Sequence, residues 1–236
     1  MSNRFQMPST NMVDLSGRTI LQVVPELDTG GAEITAMEMA EAIVKAGGRA
    51  LLASQGGALE SQIKAAGGEI VHLPVASKNL LTLWRNAGRL AKLVQVENVD
   101  LIHGRSRAPC WSALFAAKRT QTPYVTTFHS TVHDKPRAKV LYNSSLVRGQ
   151  ISIANSYFTA TRIEAVYPWA SSRLRVVPRG WWKKRAFSQG LADFSQPLVT
   201  VTDFFTGETR TALSRSPSLS PSPSLRLSPS PSLACA

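Results

Sequence analysis

Residues 19–33, TILQVVPELDTGGAE, decide how this chain folds. Residues 19–24 form a short run of the kind that a strand buried on both faces shows. A loop ending in Gly30-Gly31 follows. From about 32 to 46, Ala36, Ala40, Ile43 and Val44 recur with the period of a helix that lays one face on a sheet, and Gly47-Gly48 stop it.

The same alternation continues outward from this unit. Strands are expected at 50–53, 69–73, 100–103, 124–127, 150–154 and 173–177, and helices near 59–66, 81–97, 111–119, 135–147 and 157–166. In the helix at 81–97, Trp84, Ala87, Leu90, Ala91 and Val94 form the expected core-facing stripe. Strand and helix in strict alternation predict an α/β domain with a Rossmann-like parallel sheet and helices on both faces. Ligands are then expected beyond the carboxyl ends of the strands.

The 236 residues are 43% hydrophobic, enough for a substantial core and incompatible with a disulfide-stapled mini-protein. Cys110 and Cys235 give no disulfide framework or metal cluster, which fits a reducing compartment. No run of about 18 apolar residues occurs, and the N-terminus has no signal-peptide hydrophobic region, so a soluble or peripheral cytoplasmic protein is expected. The 27 Lys and Arg against 15 Asp and Glu, a net charge of +12, favour an anionic partner. Nucleic acid is not expected, because no helix-turn-helix, zinc signature or interleaved aromatic-basic face accompanies the charge.

Composition changes near Gly180. Residues 1–17 are expected to be flexible, 18–180 to form the domain, 181–210 to be irregular, and the Ser/Pro-rich 211–236 to be disordered. Residues 198–201 have strand character without a matching neighbour to pair with. The junction WWKKR and the repeats after it resemble the product of a shifted reading frame; a natural tail is the alternative.

Two glycines at a helix start let a backbone approach an anion, so Gly30 and Gly31 suit a phosphate or a sugar; a tight strand-to-helix turn explains them equally well. The loop is not G-x-G-x-x-G, and the second strand ends in Ser54-Gln55 without an acid for a ribose, so a nicotinamide cofactor is not expected. His72, His103, His129 and His133 show no metal-ligand spacing, and no metal is expected. Glu33 and Glu41 have E-x7-E spacing but read as surface positions of the first helix.

Taken in order and spacing, ILQVVPELDTGGAE, VDLIHGRSRAPCWSAL, PYVTTFHSTV, ISIANSYFTATRI and LRVVPRG resemble the amino-terminal half of a bacterial family 4 glycosyltransferase over residues 18–180. The resemblance implies one half of a GT-B fold and retaining hexosyl transfer from a nucleotide sugar to a lipid- or polysaccharide-linked acceptor. The donor is a substrate, and no cofactor is implied. It places Gly30 and Gly31 against the donor's diphosphate and sugar, and His129 near the donor sugar as the catalytic-site histidine. Arg105, Ser106 and Arg107 follow the fourth strand where the acceptor would approach, and paired guanidinium groups suit a phosphorylated or acidic acceptor; a solvated loop is the plain alternative. Asn155-Ser156 is a weaker candidate that a helix cap explains.

The family's membrane docking implies peripheral contact with an anionic membrane, for which the basic and apolar segment Asp134 to Tyr142, expected to open a capped helix, has suitable chemistry. The likeness stops at Pro178-Arg179-Gly180. A donor-binding half is not recognisable beyond it, so a truncated chain inactive by itself is expected. The alternative function is a non-catalytic basic module that binds anionic lipid or glycan.

Overall fold

The computed structural model describes residues 13–129, 132 and 134–177, together with the backbone of residues 201–202 and 209–210. Residues 1–180 and 181–236 form two units. In the first, strands β1 (Thr19–Val23), β2 (Arg49–Ser54), β3 (Glu69–His72), β4 (Leu101–Gly104), β5 (Tyr124–Phe128), β6 (Ile151–Ala154) and β7 (Leu174–Val176) alternate with helices. These are α1 (Gly31–Lys45), α2 (Glu60–Ala65), α3 (Leu80–Val96), α4 (Arg107–Thr120), α5 (Arg137–Asn143) and α6 (Tyr157–Val166).

All seven strands pair in parallel in the order β3-β2-β1-β4-β5-β6-β7. The chain works outward from β1 to β3, then crosses back to β4 on the other side of β1. The crossing leaves a crevice between the carboxyl ends of β1 and β4, because the loops there run in opposite directions.

Every residue of β1 is buried, and its side chains alternate between two apolar layers. Ile20 and Leu52 face Ala36, Ala40 and Ile43 of α1 and Ile63 of α2. Leu21 and Leu51 face Leu90 and Val94 of α3 and Ala113 and Leu114 of α4. A third cluster joins Phe128 to Leu146, Ala160 and Ile163 under the far end of the sheet. Burying each such Leu, Ile or Phe contributes roughly 1.5–3 kcal/mol.

The layer of α4 lies very close to β4. A Cβ on Gly104 would stand 2.6 Å from Cys110 Sγ and 2.7 Å from the Tyr124 hydroxyl, so only glycine admits this packing.

Five expectations are corrected. Trp84 is not in the core: it is 62% exposed, while Leu83, Asn86, Ala87, Leu90 and Val94 form the buried face of α3. Trp84 lies one position, about 100°, round from Leu83, which turns its ring outward beneath the Arg119 guanidinium, 5.8 Å from the ring centroid. Helix α4 begins at Arg107, earlier than expected, because Pro109 falls in the first turn, where an N–H has no helical partner to lose.

The expected helix at 135–147 divides into α5 and a 3-10 turn, Ser144–Val147, and α5 opens at Pro136 without a side-chain cap. In the second unit, β8 (Val201–Thr202) pairs antiparallel with β9 (Thr209–Arg210), so of the strand-like residues 198–201, Val201 does find a partner, and 198–200 lie outside the described residues. The expectations for 1–12, for most of 181–210 and for the Ser/Pro-rich tail lie outside the described residues. Among the described residues no helix is long and apolar enough to cross a membrane.

Candidate functional site

Three loops converge over the crevice. The loop after β1 delivers Gly30 as the N-cap of α1, the loop after β4 delivers Ser106 as the N-cap of α4, and His129 follows β5 directly. A cavity of about 330 Å³ lies among them, lined by Gly31, Glu33, Arg105, Ser106, Arg107 and His129. Residues separated by a hundred positions in sequence therefore share one wall. Gly30 caps the helix at its edge.

Neither helix opening on the cavity has a side-chain cap. The positive ends of two helices thus point toward one space, which favours negative charge there. Gly30 has ordinary extended geometry, φ −72° and ψ 162°, so its conformation does not require glycine. A Cβ there would meet only the Glu33 carboxylate folded back over it, a side-chain end that can move aside. Glu33 is accordingly part of the cavity wall rather than a plain surface residue, whereas Glu41 pairs with Lys45 on the outside of α1.

Arg105 is not on a solvated loop. Only 2% exposed, it donates from Nε to Gln22 Oε1 at 2.8 Å, and its backbone N–H donates to the Val23 carbonyl at 3.2 Å. Gln22 lies on the central strand, fully buried, and donates from Nε2 to the Ala36 carbonyl of α1 at 3.0 Å. One amide therefore ties Arg105 to both β1 and α1. Arg107 holds its Nε buried without a hydrogen-bond partner among the described residues. Its charge favours ionisation of Tyr142 and Tyr167, but burial is the larger effect and pushes both phenols up.

Behind the wall, His103 on β4 is buried and shares a 2.8 Å hydrogen bond with Thr127 Oγ1. Burial, then the positive charge of Arg105, then His129 hold its pKa well below 6.5, so the ring is neutral at neutral pH. Sequence reading missed Gln22, Glu33 and His103 as site residues. Gln22 had a legible signal: it is the amide inside the otherwise apolar run ILQVV.

Asn155-Ser156 behaves as a cap, Ser156 Oγ accepting from the Thr159 N–H at 3.1 Å. Cys110 is buried, its thiol pushed up to about 12 by burial. Among the described residues no three His, Cys, Asp or Glu side chains gather in one place.

A sequence model described as Glycosyltransferase Family 4 matches residues 29–181, from the glycine loop to just past the last strand of the sheet. The chain belongs to glycosyltransferase family 4. Among solved structures, this family 4 chain is similar to a glycosyltransferase from Rickettsia africae ESF-5, with 30% identity and a TM-score of 0.60 over 69% of this chain and 43% of that one. It is also similar to HepE from Anabaena, crystallised with UDP and glucose, with 20% identity and a TM-score of 0.54 over 69% and 44% of the two chains. Sucrose-phosphate synthase from Thermosynechococcus elongatus has 14% identity and a TM-score of 0.54 over 69% and 48%. The latter two likenesses show the fold alone, and the family 4 chain spans less than half the length of each protein. No curated protein sequence matches it. The parallel sheet with helices on both faces is the N-terminal half of a GT-B fold.

Proposed function

We propose that residues 13–177 form the acceptor-side wall of a retaining, nucleotide-sugar-dependent glycosyltransferase. It transfers a hexosyl group to a lipid- or polysaccharide-linked acceptor that carries a negative charge. The observation behind this reading is the single cavity in which two uncapped helix starts, two arginines and a histidine meet. Retaining transfer builds negative charge on a departing diphosphate, and donors fixed in advance around that position lower the barrier without reorganising.

In this reading the α1 start at Gly30-Gly31 faces the diphosphate and the transferring sugar. The His129 imidazole hydrogen-bonds a sugar hydroxyl, and Glu33 accepts from another. Arg105, Ser106 and Arg107 hold the acceptor's oxyanion, the guanidinium planes giving it a fixed orientation. The donor is a substrate such as the UDP-glucose bound by HepE, and no cofactor takes part. The reaction belongs to the cytoplasm, with peripheral membrane contact through Lys135, Arg137, Lys139 and Leu141, all exposed on and before α5.

One wall positions but does not complete the site, so the chain alone turns over little, since positioning supplies much of the rate. The test is a titration of the full chain with UDP-glucose followed by amide NMR, alongside a transfer assay. Expected are shifts at Gly31, Glu33 and His129, and a UDP-glucose affinity about 2–10-fold weaker in His129→Ala, the worth of one hydrogen bond to a sugar hydroxyl. Shifts confined to other surfaces would overturn the site. Full turnover by the chain alone would overturn the half-site reading.

A further inference from the structure

The outer surface of α3 and α4 holds charge that the fold leaves unbalanced. Neither helix contains an acidic residue. Three shallow cavities lie side by side across this face and share lining residues. The first, about 390 Å³, is lined by Trp84, Arg85, Gly88, Arg89, Lys92 and Arg119. The second, about 340 Å³, shares Trp84 and Arg119 and adds Phe115 and Lys118. The third, about 580 Å³, shares Lys118 and continues to Arg148 and Arg173. Together they form a groove with seven cations and no carboxylate in its lining. Among the described residues none of the seven is in an ion pair.

Trp84 and Phe115 line the groove, and Trp111 and Trp169 lie beside its cations, an aromatic-basic face that the sequence reading did not expect. Phe115 stacks on Trp111 with centroids 6.0 Å apart. The Arg148 guanidinium lies 5.6 Å from the Trp111 ring and 5.4 Å from the Trp169 ring, and Arg173 lies 5.6 Å from Trp169 on its own account. Trp84, Phe115 and Trp169 remain exposed, at 62%, 42% and 47%. Such contacts hold the guanidinium groups against the rings; Arg148 donates its Nε–H to Ser144 Oγ at 3.0 Å and keeps its terminal N–H groups for a ligand.

Like charges gathered in one groove repel, and among the described residues ring faces but no carboxylate offset that cost. An extended polyanion would supply the missing negative charge. Ring faces beside guanidinium edges match a saccharide chain, whose C–H faces pack on aromatic rings while its anionic groups meet the forks. A bilayer is a poorer match, because the rings and cations are spread over two helices and further segments instead of forming the apolar and basic faces of one amphipathic helix.

We infer that this groove binds an extended anionic glycan, a uronate- or phosphate-bearing saccharide chain, at a site separate from the transfer cavity. The preference for a saccharide over other polyanions rests on the glycosyltransferase reading above. Helix α4 starts at the cavity and reaches the groove with Leu114 to Arg119, so the two sites are roughly 10–20 Å apart along the helix. The groove would keep a polymeric substrate or product beside the enzyme between encounters, raising its effective concentration.

The experiment titrates the full chain with a decagalacturonate at low and moderate salt, read by tryptophan fluorescence, with neutral dextran as control. Binding to the uronate and not to dextran is expected, about tenfold weaker in Trp84→Ala and in Arg148→Ser, with the UDP-glucose response unchanged in both. Both side chains are exposed, so the variants keep the fold. The inference is overturned if the uronate does not bind, or if Trp84→Ala binds it normally, which would mean diffuse charge alone. Tighter binding of single-stranded DNA or of phosphatidylglycerol vesicles, lost in the same variants, would also overturn it. Loss of the UDP-glucose response with uronate binding intact would fault the transfer reading and leave the groove standing.

Discussion

At the scale of single residues, the side-chain amide of Gln22 holds two groups that have no easy substitute, the Arg105 guanidinium and the Ala36 carbonyl. Gln22→Met keeps the volume and removes both hydrogen bonds, leaving a buried charged donor and a buried carbonyl, at about 1–3 kcal/mol for each group abandoned. Gln22→Glu keeps an acceptor for Arg105 and cancels its charge. Urea unfolding and titration with inorganic phosphate, standing for the acceptor's oxyanion, should therefore separate the two variants. The Met variant loses more stability, and the Glu variant loses more affinity for its size of structural effect. Equal losses in both measurements would show that Gln22 only fills space.

His103 gives a prediction with a definite sign. Its folded pKa lies below the ordinary 6.5, so it is the unfolded chain that gains a proton first as pH falls. Stability is held above about 6.5 and declines as pH drops from there toward the folded value. His103→Gln should flatten unfolding free energy over that range relative to wild type. A wild-type curve that is already flat below 6.5 would mean that His103 is protonated in the fold.

At the scale of elements, the contact between β4 and α4 shows how closely the layers are fitted. The neighbours of Gly104 are Cys110 Sγ and the Tyr124 hydroxyl, both buried and held by surrounding packing, so neither swings away to admit a methyl group. Gly104→Ala should cost toward the upper end of the roughly 1–3 kcal/mol typical of overpacking, measured by thermal or urea unfolding. A loss below about 0.5 kcal/mol would mean that α4 slides outward without penalty.

This is also the scale at which sequence was most informative. Period and glycine punctuation placed β1, α1 and α6 almost to the residue, because apolar patterning is a local property. The stripe of α3 was misjudged at Trp84 because both rotations of that helix offer apolar side chains at helical spacing, and only the partner layer chooses between them. The convergence of Gly31, Arg105 and His129 was legible through their places after the carboxyl ends of strands and through family likeness. The Gln22–Arg105 bond was not, since it depends on register between β1 and β4, which no local pattern encodes.

At the scale of the whole molecule, opposing electrostatic terms can be ranked. The ion pairs of Arg18 with Asp100 and of Arg49 with Glu69 and Glu97 are largely exposed, and such pairs contribute about 0–1 kcal/mol each. Against them stands a net charge of +12, with seven of the cations confined to one groove. Raising sodium chloride from 10 to 100 mM shortens the screening length from about 30 Å to about 10 Å, so it removes long-range repulsion while leaving contacts at hydrogen-bond distance largely intact. The full chain should therefore gain stability with salt, at about 2–4 °C in Tm for each kcal/mol of repulsion relieved. If clustered charge in the groove is the main source, Arg89→Ser with Arg119→Ser should have a higher Tm than wild type at 10 mM salt, and the two should converge at 100 mM. A wild-type Tm that falls with salt would place the balance with the ion pairs, and the groove would then have no excess charge for a polyanion to neutralise.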